Sequence, residues 1–151
     1  MLQRLLYTIF LLSGFVSNAQ LVINELDTDM TGSDVNEFIE LKSSLPNFSL
    51  DGYVLVLYNE TNSLSYYAID LDGYTTDING IFLSGNTAVS PAPALVFPNG
   101  KIQNGPDVIA LYQANASDFP DGTLATSTNL VNALAYSTAA PTATNLMTTL
   151  G

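Results

Sequence analysis

Six carboxylates lie within sixteen consecutive positions of the segment INELDTDMTGSDVNEFIEL, residues 23–41. They are Glu25, Asp27, Asp29, Asp34, Glu37 and Glu40. Carboxylates grouped around a glycine are typical of calcium loops, because calcium accepts six to eight oxygen ligands in flexible geometry. Paired carboxylates can also hydrolyse glycosidic bonds when the two groups face each other at about 5–10 Å. The segment therefore raises two chemical hypotheses, a metal loop and a hydrolytic pair.

The calcium hypothesis can be compared with the loop of an EF-hand. Four residues match its positions one, three, five and six, namely Asp27, Asp29, Thr31 and Gly32. The twelfth position, which requires a bidentate glutamate, holds Phe38, and the flanking residues favour strands over helices. A helix-flanked EF-hand is thereby excluded. Two interpretations stay open: a solvated acidic hairpin loop, and a less regular calcium loop formed by Asp27, Asp29, Asp34 and Glu37.

The hydrolytic hypothesis depends on which strands are neighbours. Glu37 and Glu40 are three residues apart, and in a strand an odd separation sends side chains to opposite faces. These two residues therefore do not pair with each other. Glu25 can approach one of them only if its strand lies beside theirs, which the sequence does not show. Carboxylates at a sheet margin are the simpler interpretation, so we assign no catalytic residues and expect a protein that is not an enzyme.

Composition excludes several other classes of protein. The chain has no histidine and no cysteine, so Ser-His-Asp and Cys-His nucleophiles and HExxH zinc sites cannot be built. Fourteen acidic residues face three basic ones, which gives a formal charge of −11. Direct binding to nucleic acid is not expected, because that affinity rests on clustered Lys and Arg. An acidic surface suits solubility, divalent cations or a basic partner.

Eight short segments rich in β-branched and aromatic residues predict strands, because clusters of Gly, Pro, Asn and Asp separate them. They are residues 21–26, 37–42, 53–58, 65–71, 80–83, 94–97, 108–113 and 130–136. This pattern predicts an all-β fold of the β-sandwich type. The strands at 53–58 and 108–113 are apolar on both faces, so we expect both faces to be covered. The strand at 37–42 should have one wet face.

The first nineteen residues have the pattern of a signal peptide. Arg4 precedes an apolar run over residues 5–16, and Ser17-Asn18-Ala19 supplies small residues before a predicted cleavage at Gln20. The apolar run is shorter than the roughly 20 residues needed to span a bilayer. We therefore predict an exported protein, secreted or at the cell surface, without a membrane span; an uncleaved N-terminal anchor is the alternative. Residues 20–140 would form the sandwich, and residues 141–151 a Thr/Ala-rich tail or the start of a linker.

Several strings along the chain resemble the lamin-tail domain family. The strings "VINELD", "NEFIELK" and "FSLDGYVLVLY" follow the family order of an I-N-E strand, an E-F-I-E-L strand and an L-x-G-[WY] turn. The later strings "YYAIDLDGYTTDINGIFLSGN", "QNGPDVIALYQANASDFPDGT" and "NLVNALAY" are similar to the exported bacterial branch, which is often found beside or within extracellular nucleases. The resemblance covers residues 21–136. It implies an immunoglobulin-like β-sandwich.

The resemblance also implies a kind of function. The family has no established catalytic residues, and its roles are binding, tethering or accessory. We therefore predict a secreted non-catalytic module for adhesion or targeting, whose partner is a protein or glycan at the cell surface. The alternative is an accessory domain or fragment of a larger secreted hydrolase such as an extracellular nuclease, because many relatives continue into another module where this sequence stops at Gly151.

Overall fold

Two four-stranded sheets pack face to face in the computed structural model, which describes residues 21–28, 33–138 and 142–151. The prediction of an all-β sandwich is thereby confirmed. The predicted signal peptide, residues 1–19, lies outside the described residues. Asp29 and the predicted domain boundary at residues 140–141 lie outside them as well.

The eight strands follow the sequence prediction to within two residues at each end. The first sheet has the order β1-β2-β5-β6, formed by Leu21–Asp27, Phe38–Ser43, Ile81–Gly85 and Leu95–Val96. The second has the order β4-β3-β7-β8, formed by Leu64–Asp70, Tyr53–Asn59, Asp107–Gln113 and Leu130–Tyr136. Neighbouring strands are antiparallel except for β5 and β6, which are parallel.

The main core lies between the two sheets. It is built from alternate positions of the central strands, including Ile39 and Leu41 of β2, Leu55 and Leu57 of β3, and Ile109 of β7. All five side chains are fully buried. Alternate residues of a strand point to the same face, so these apolar sets account for the way the two sheets are joined.

A second core covers the other face of β3 and β7. Val54, Val56 and Val108 are buried there against a short C-terminal helix, α1, Thr144–Leu150. The helix contributes Leu146 and Leu150 to this core. Both faces of the central strands are therefore covered, as the sequence predicted. The sequence did not predict the helix itself.

The outer face of the first sheet is not covered in this way. In β2 the residues Phe38, Glu40 and Lys42 are half-buried on that face, while Ile39 and Leu41 are fully buried on the other. This pattern matches the solvent-exposed face that the sequence predicted for the strand. In the part of the chain that the structure describes, no helix is long and apolar enough to cross a membrane.

Candidate functional site

The residues of the predicted calcium loop make different contacts in the structure. Asp27 ends β1 and lies opposite Phe38 of β2. Asp34 accepts a hydrogen bond of 3.2 Å from the Asn104 side-chain amide. Among the described residues, no three His, Cys, Asp or Glu side chains are grouped so that they could hold a metal ion. Because Asp29 belongs to the hypothesis and is not described, calcium binding by this loop stays a prediction.

Glu37, the remaining residue of that hypothesis, is fully buried. Its two carboxylate oxygens accept the backbone N–H groups of Lys101 and Ile102, at 3.2 and 3.1 Å. Its own N–H donates to Asn86 Oδ1 at 2.8 Å, and the Asn86 N–H donates to the Glu37 carbonyl at 2.9 Å. Burial raises the pKa of Glu37, while the hydrogen bonds from Ile102 and Lys101 oppose that rise. These bonds give Glu37 a structural role that joins three segments.

A β-bulge in β1 changes which face its residues occupy. The ladder between β1 and β2 shifts between Ile23 and Glu25, so that Asn24 is an extra residue. Ile23 packs in the core before the bulge and Leu26 packs against it afterwards, whereas Asn24 and Glu25 are both exposed. Two adjacent polar residues between apolar ones are the sequence signal of this broken alternation.

The bulge leaves two carboxylates side by side. Glu25 lies directly opposite Glu40 in the antiparallel ladder, where the Cβ atoms of facing residues are about 4.5–5.5 Å apart. Asn24 Nδ2 donates to Glu40 Oε1 at 2.7 Å. Neither glutamate forms an ion pair with any described residue. The structure thus brings together the one pair that the sequence left undecided, because its proximity depends on β1 and β2 being neighbours.

These two glutamates line a groove of about 720 Å³ on the outer face of the first sheet. Strand residues and the loop between β5 and β6 both contribute to it. Its apolar side chains include Phe38, Ile81, Leu83, Val89, Pro91 and Ala92. We call this surface the outer-face groove. A concave, mostly apolar surface with a few polar groups is the usual form of a binding site.

The charge of the outer-face groove is negative. Its lining includes Glu25, Glu40 and Asp77 but no lysine or arginine. Asp77 Oδ1 accepts the backbone N–H groups of Asn79 and Ile81, each at 2.8 Å, and the bond from Ile81 is the main reason its pKa is lowered. Asp77 is therefore already engaged in its own turn. The lowered pKa keeps Asp77 negatively charged, but the two facing glutamates are the carboxylates that lie side by side on the sheet.

A separate polar cluster lies at one end of the second sheet, where the inner strand β7 begins. Asp107, at the start of β7, is only 1% exposed, and its Oδ1 accepts the Glu60 N–H at 3.2 Å. Its Oδ2 accepts no hydrogen bond of normal geometry, although the Tyr66 hydroxyl lies near enough to lower the pKa. Desolvation outweighs these contacts and raises the pKa of Asp107 to about 6. The Tyr66 hydroxyl lies 3.2 Å from the Tyr136 hydroxyl. Burial raises the pKa of Tyr66 to about 12.

The two clusters differ in what they can do chemically. Asp107 itself is closed to solvent, so its environment affects stability but does not present the carboxylate to a ligand. The outer-face groove is open and carries two carboxylates on a rigid sheet. Comparison with known proteins finds no protein-family model that matches the chain and no significant match among curated proteins. The groove is therefore the candidate functional site on its geometry alone.

Proposed function

We propose that this protein is an exported, non-catalytic binding module of the lamin-tail type that recognises a partner at the cell surface through the outer-face groove. The observation that carries the proposal is the groove itself, a concave site with a volume of about 720 Å³ on the open face of a β-sandwich. The sequence resemblance over residues 21–136 and the signal-peptide pattern of residues 1–19 support it. A sandwich fold alone carries no function, so the argument rests on the groove.

A binding panel tests the groove directly. We expect the purified protein to bind a subset of an immobilised set of glycans and peptides, and Ala92→Trp to lose that binding. Ala92 is exposed and lines the groove, so a bulky ring there fills the site without disturbing the core. Ala88→Trp is the matched control, because Ala88 is exposed in the same loop but does not line the groove. Equal binding by the two variants would exclude the groove as the site.

Export is tested by following the chain into the medium or onto the cell surface. We expect the mature protein to begin at Gln20, as read by mass spectrometry of its N-terminal peptide, because small residues precede that position. We expect Leu11→Arg, which interrupts the apolar run, to leave the full-length chain inside the cell. A mature protein that retains residues 1–19 would support the anchor interpretation instead.

The facing glutamates also favour a second candidate function, hydrolysis of a glycosidic bond. The register pair Glu25 and Glu40 supplies two carboxylates on one face, which retaining and inverting glycosidases both require. The assay is release of reducing ends from soluble polysaccharides by the wild-type protein and by Glu40→Gln. If the wild-type protein hydrolyses a polysaccharide and the folded Glu40→Gln protein does not, the proposal of a binding module would be replaced by that of an enzyme.

A further inference from the structure

We infer that the occupant of the outer-face groove is a cationic peptide segment whose lysine or arginine side chain lies between Glu25 and Glu40. This inference rests on the proposed function and specifies its partner. Two like charges directly opposite each other on neighbouring strands destabilise a sheet. A ligand cation placed between them would convert that repulsion into two attractive contacts.

The chain itself does not supply this cation. Only Lys42 and Lys101 are available among the described residues. The Lys42 ammonium donates to the Asn79 carbonyl, and the Lys101 ammonium lies 5.0 Å from the centre of the Tyr67 ring. Neither ammonium group is therefore shown in an ion pair with Glu25 or Glu40. The net charge of −11 would also attract a cationic partner over a longer range.

The rest of the lining suits the apolar part of such a segment. Lysine and arginine side chains carry long methylene stems that pack on apolar surface while the charged end stays with polar groups. Leu83 lies directly opposite Glu40 on β5, Phe38 precedes Glu40 on the same face of β2, and Pro91 belongs to the loop that borders the groove. A peptide with alternating basic and apolar residues would match both features. A bare metal ion would find only two facing carboxylates, whereas calcium requires six or more oxygens.

Fluorescence anisotropy with three labelled peptides of equal length tests the inference. The first alternates lysine with valine, the second has glutamine in place of lysine, and the third has glutamate. We expect the wild-type protein to bind only the lysine peptide, with an affinity that falls as salt rises. The double variant Glu25→Gln/Glu40→Gln should weaken that binding by about tenfold or more, because both charge-assisted contacts are lost. Glutamine keeps the oxygen that accepts the Asn24 amide, so the variant should fold normally.

A second double variant controls for general electrostatic attraction. Asp70→Asn/Asp121→Asn removes the same amount of charge from exposed positions outside the groove, and we expect its affinity to stay within about twofold of the wild-type value. Equal weakening by both double variants would show non-specific attraction and overturn the inference. If Ala92→Trp abolishes binding of a glycan or a neutral peptide while Glu25→Gln/Glu40→Gln does not, the groove stands as a binding site but its occupant is not cationic.

Discussion

At the scale of single residues, two buried carboxylates show how hydrogen bonding decides the cost of burial. Glu37 is fully buried, yet each of its oxygens accepts a backbone N–H group. Asp107 is almost equally buried, but only one of its oxygens accepts a bond of normal geometry. Burial raises the pKa of both side chains. The shift of Asp107 is large enough for stability to depend on its protonation.

Asp107→Asn tests that dependence. The folded pKa of about 6 lies above the ordinary value of 3.8, so the folded state holds this proton more tightly than the unfolded state. The contribution of the protonated Asp107 side chain to stability is complete below about pH 4 and is lost as the pH rises through about 6. Asparagine has no such titration and keeps an oxygen for the Glu60 N–H. We therefore expect the unfolding free energy of the variant, relative to that of wild type, to increase by about 1–3 kcal/mol as the pH rises from 4 to 7.5.

Urea unfolding at several pH values in that range measures the difference. Asp121→Asn, which removes an exposed carboxylate, serves as the control and should show little change relative to wild type. A difference between Asp107→Asn and wild type that is constant from pH 4 to pH 7.5 would contradict the assignment.

At the scale of elements, the turn before β5 sets the position of the strand that carries Ile81 and Leu83 into the groove. The Gly80 carbonyl accepts the Ser43 N–H at 2.7 Å, and the Gly80 N–H donates to the Asp77 carbonyl at 3.0 Å. Gly80 has φ of +76°, and a Cβ added there would overlap the Ser43 carbonyl oxygen. Glycine is needed at this position for two reasons, the backbone conformation and the close approach to β2.

Comparison of two glycine substitutions separates those reasons. Gly73 has φ of +83°, but a Cβ there would meet no atom within 4 Å. Gly73→Ala should therefore lose only about 1 kcal/mol of unfolding free energy, from the left-handed backbone. Gly80→Ala should lose about 3 kcal/mol, because β2 and β5 must also move apart. Chemical unfolding of both variants provides the measurement, and equal losses would show that the contact with Ser43 is unimportant.

The same scale shows what could be predicted from the sequence. Strands such as β3 were predictable because apolar alternation and turn residues are local signals. The facing of Glu25 and Glu40 was not, because it depends on the pairing of two strands separated by a loop and on a bulge at Asn24. The helix α1 was also missed. Seven residues form a marginal helix by themselves, so its existence depends on packing against a distant strand and not on its own sequence.

At the scale of the whole molecule, the two sheets are covered unequally. The central strands of the second sheet, β3 and β7, are buried on both faces, between the first sheet on one side and α1 with Phe119 on the other. The first sheet has only its inner face in a core. The outer-face groove therefore lies on the side that no helix of the described chain covers. This asymmetry separates the layer that stabilises the fold from the surface that is available to a partner.

The stabilising role of the helix layer can be tested apart from the groove. Leu146 is fully buried against β3 and β7, whereas its neighbour Met147 is 54% exposed. Leu146→Ala should lower the free energy of unfolding by about 2–4 kcal/mol, since it removes buried methyl groups and leaves a cavity. Met147→Ala should change it by less than about 0.5 kcal/mol. Urea unfolding of the two variants gives these values, and groove-ligand affinity measured on the folded proteins should be the same for both. Equal stability of the two variants would mean that α1 does not pack on the second sheet in solution. Weaker ligand binding by folded Leu146→Ala than by Met147→Ala would instead show that the two faces of the sandwich are coupled.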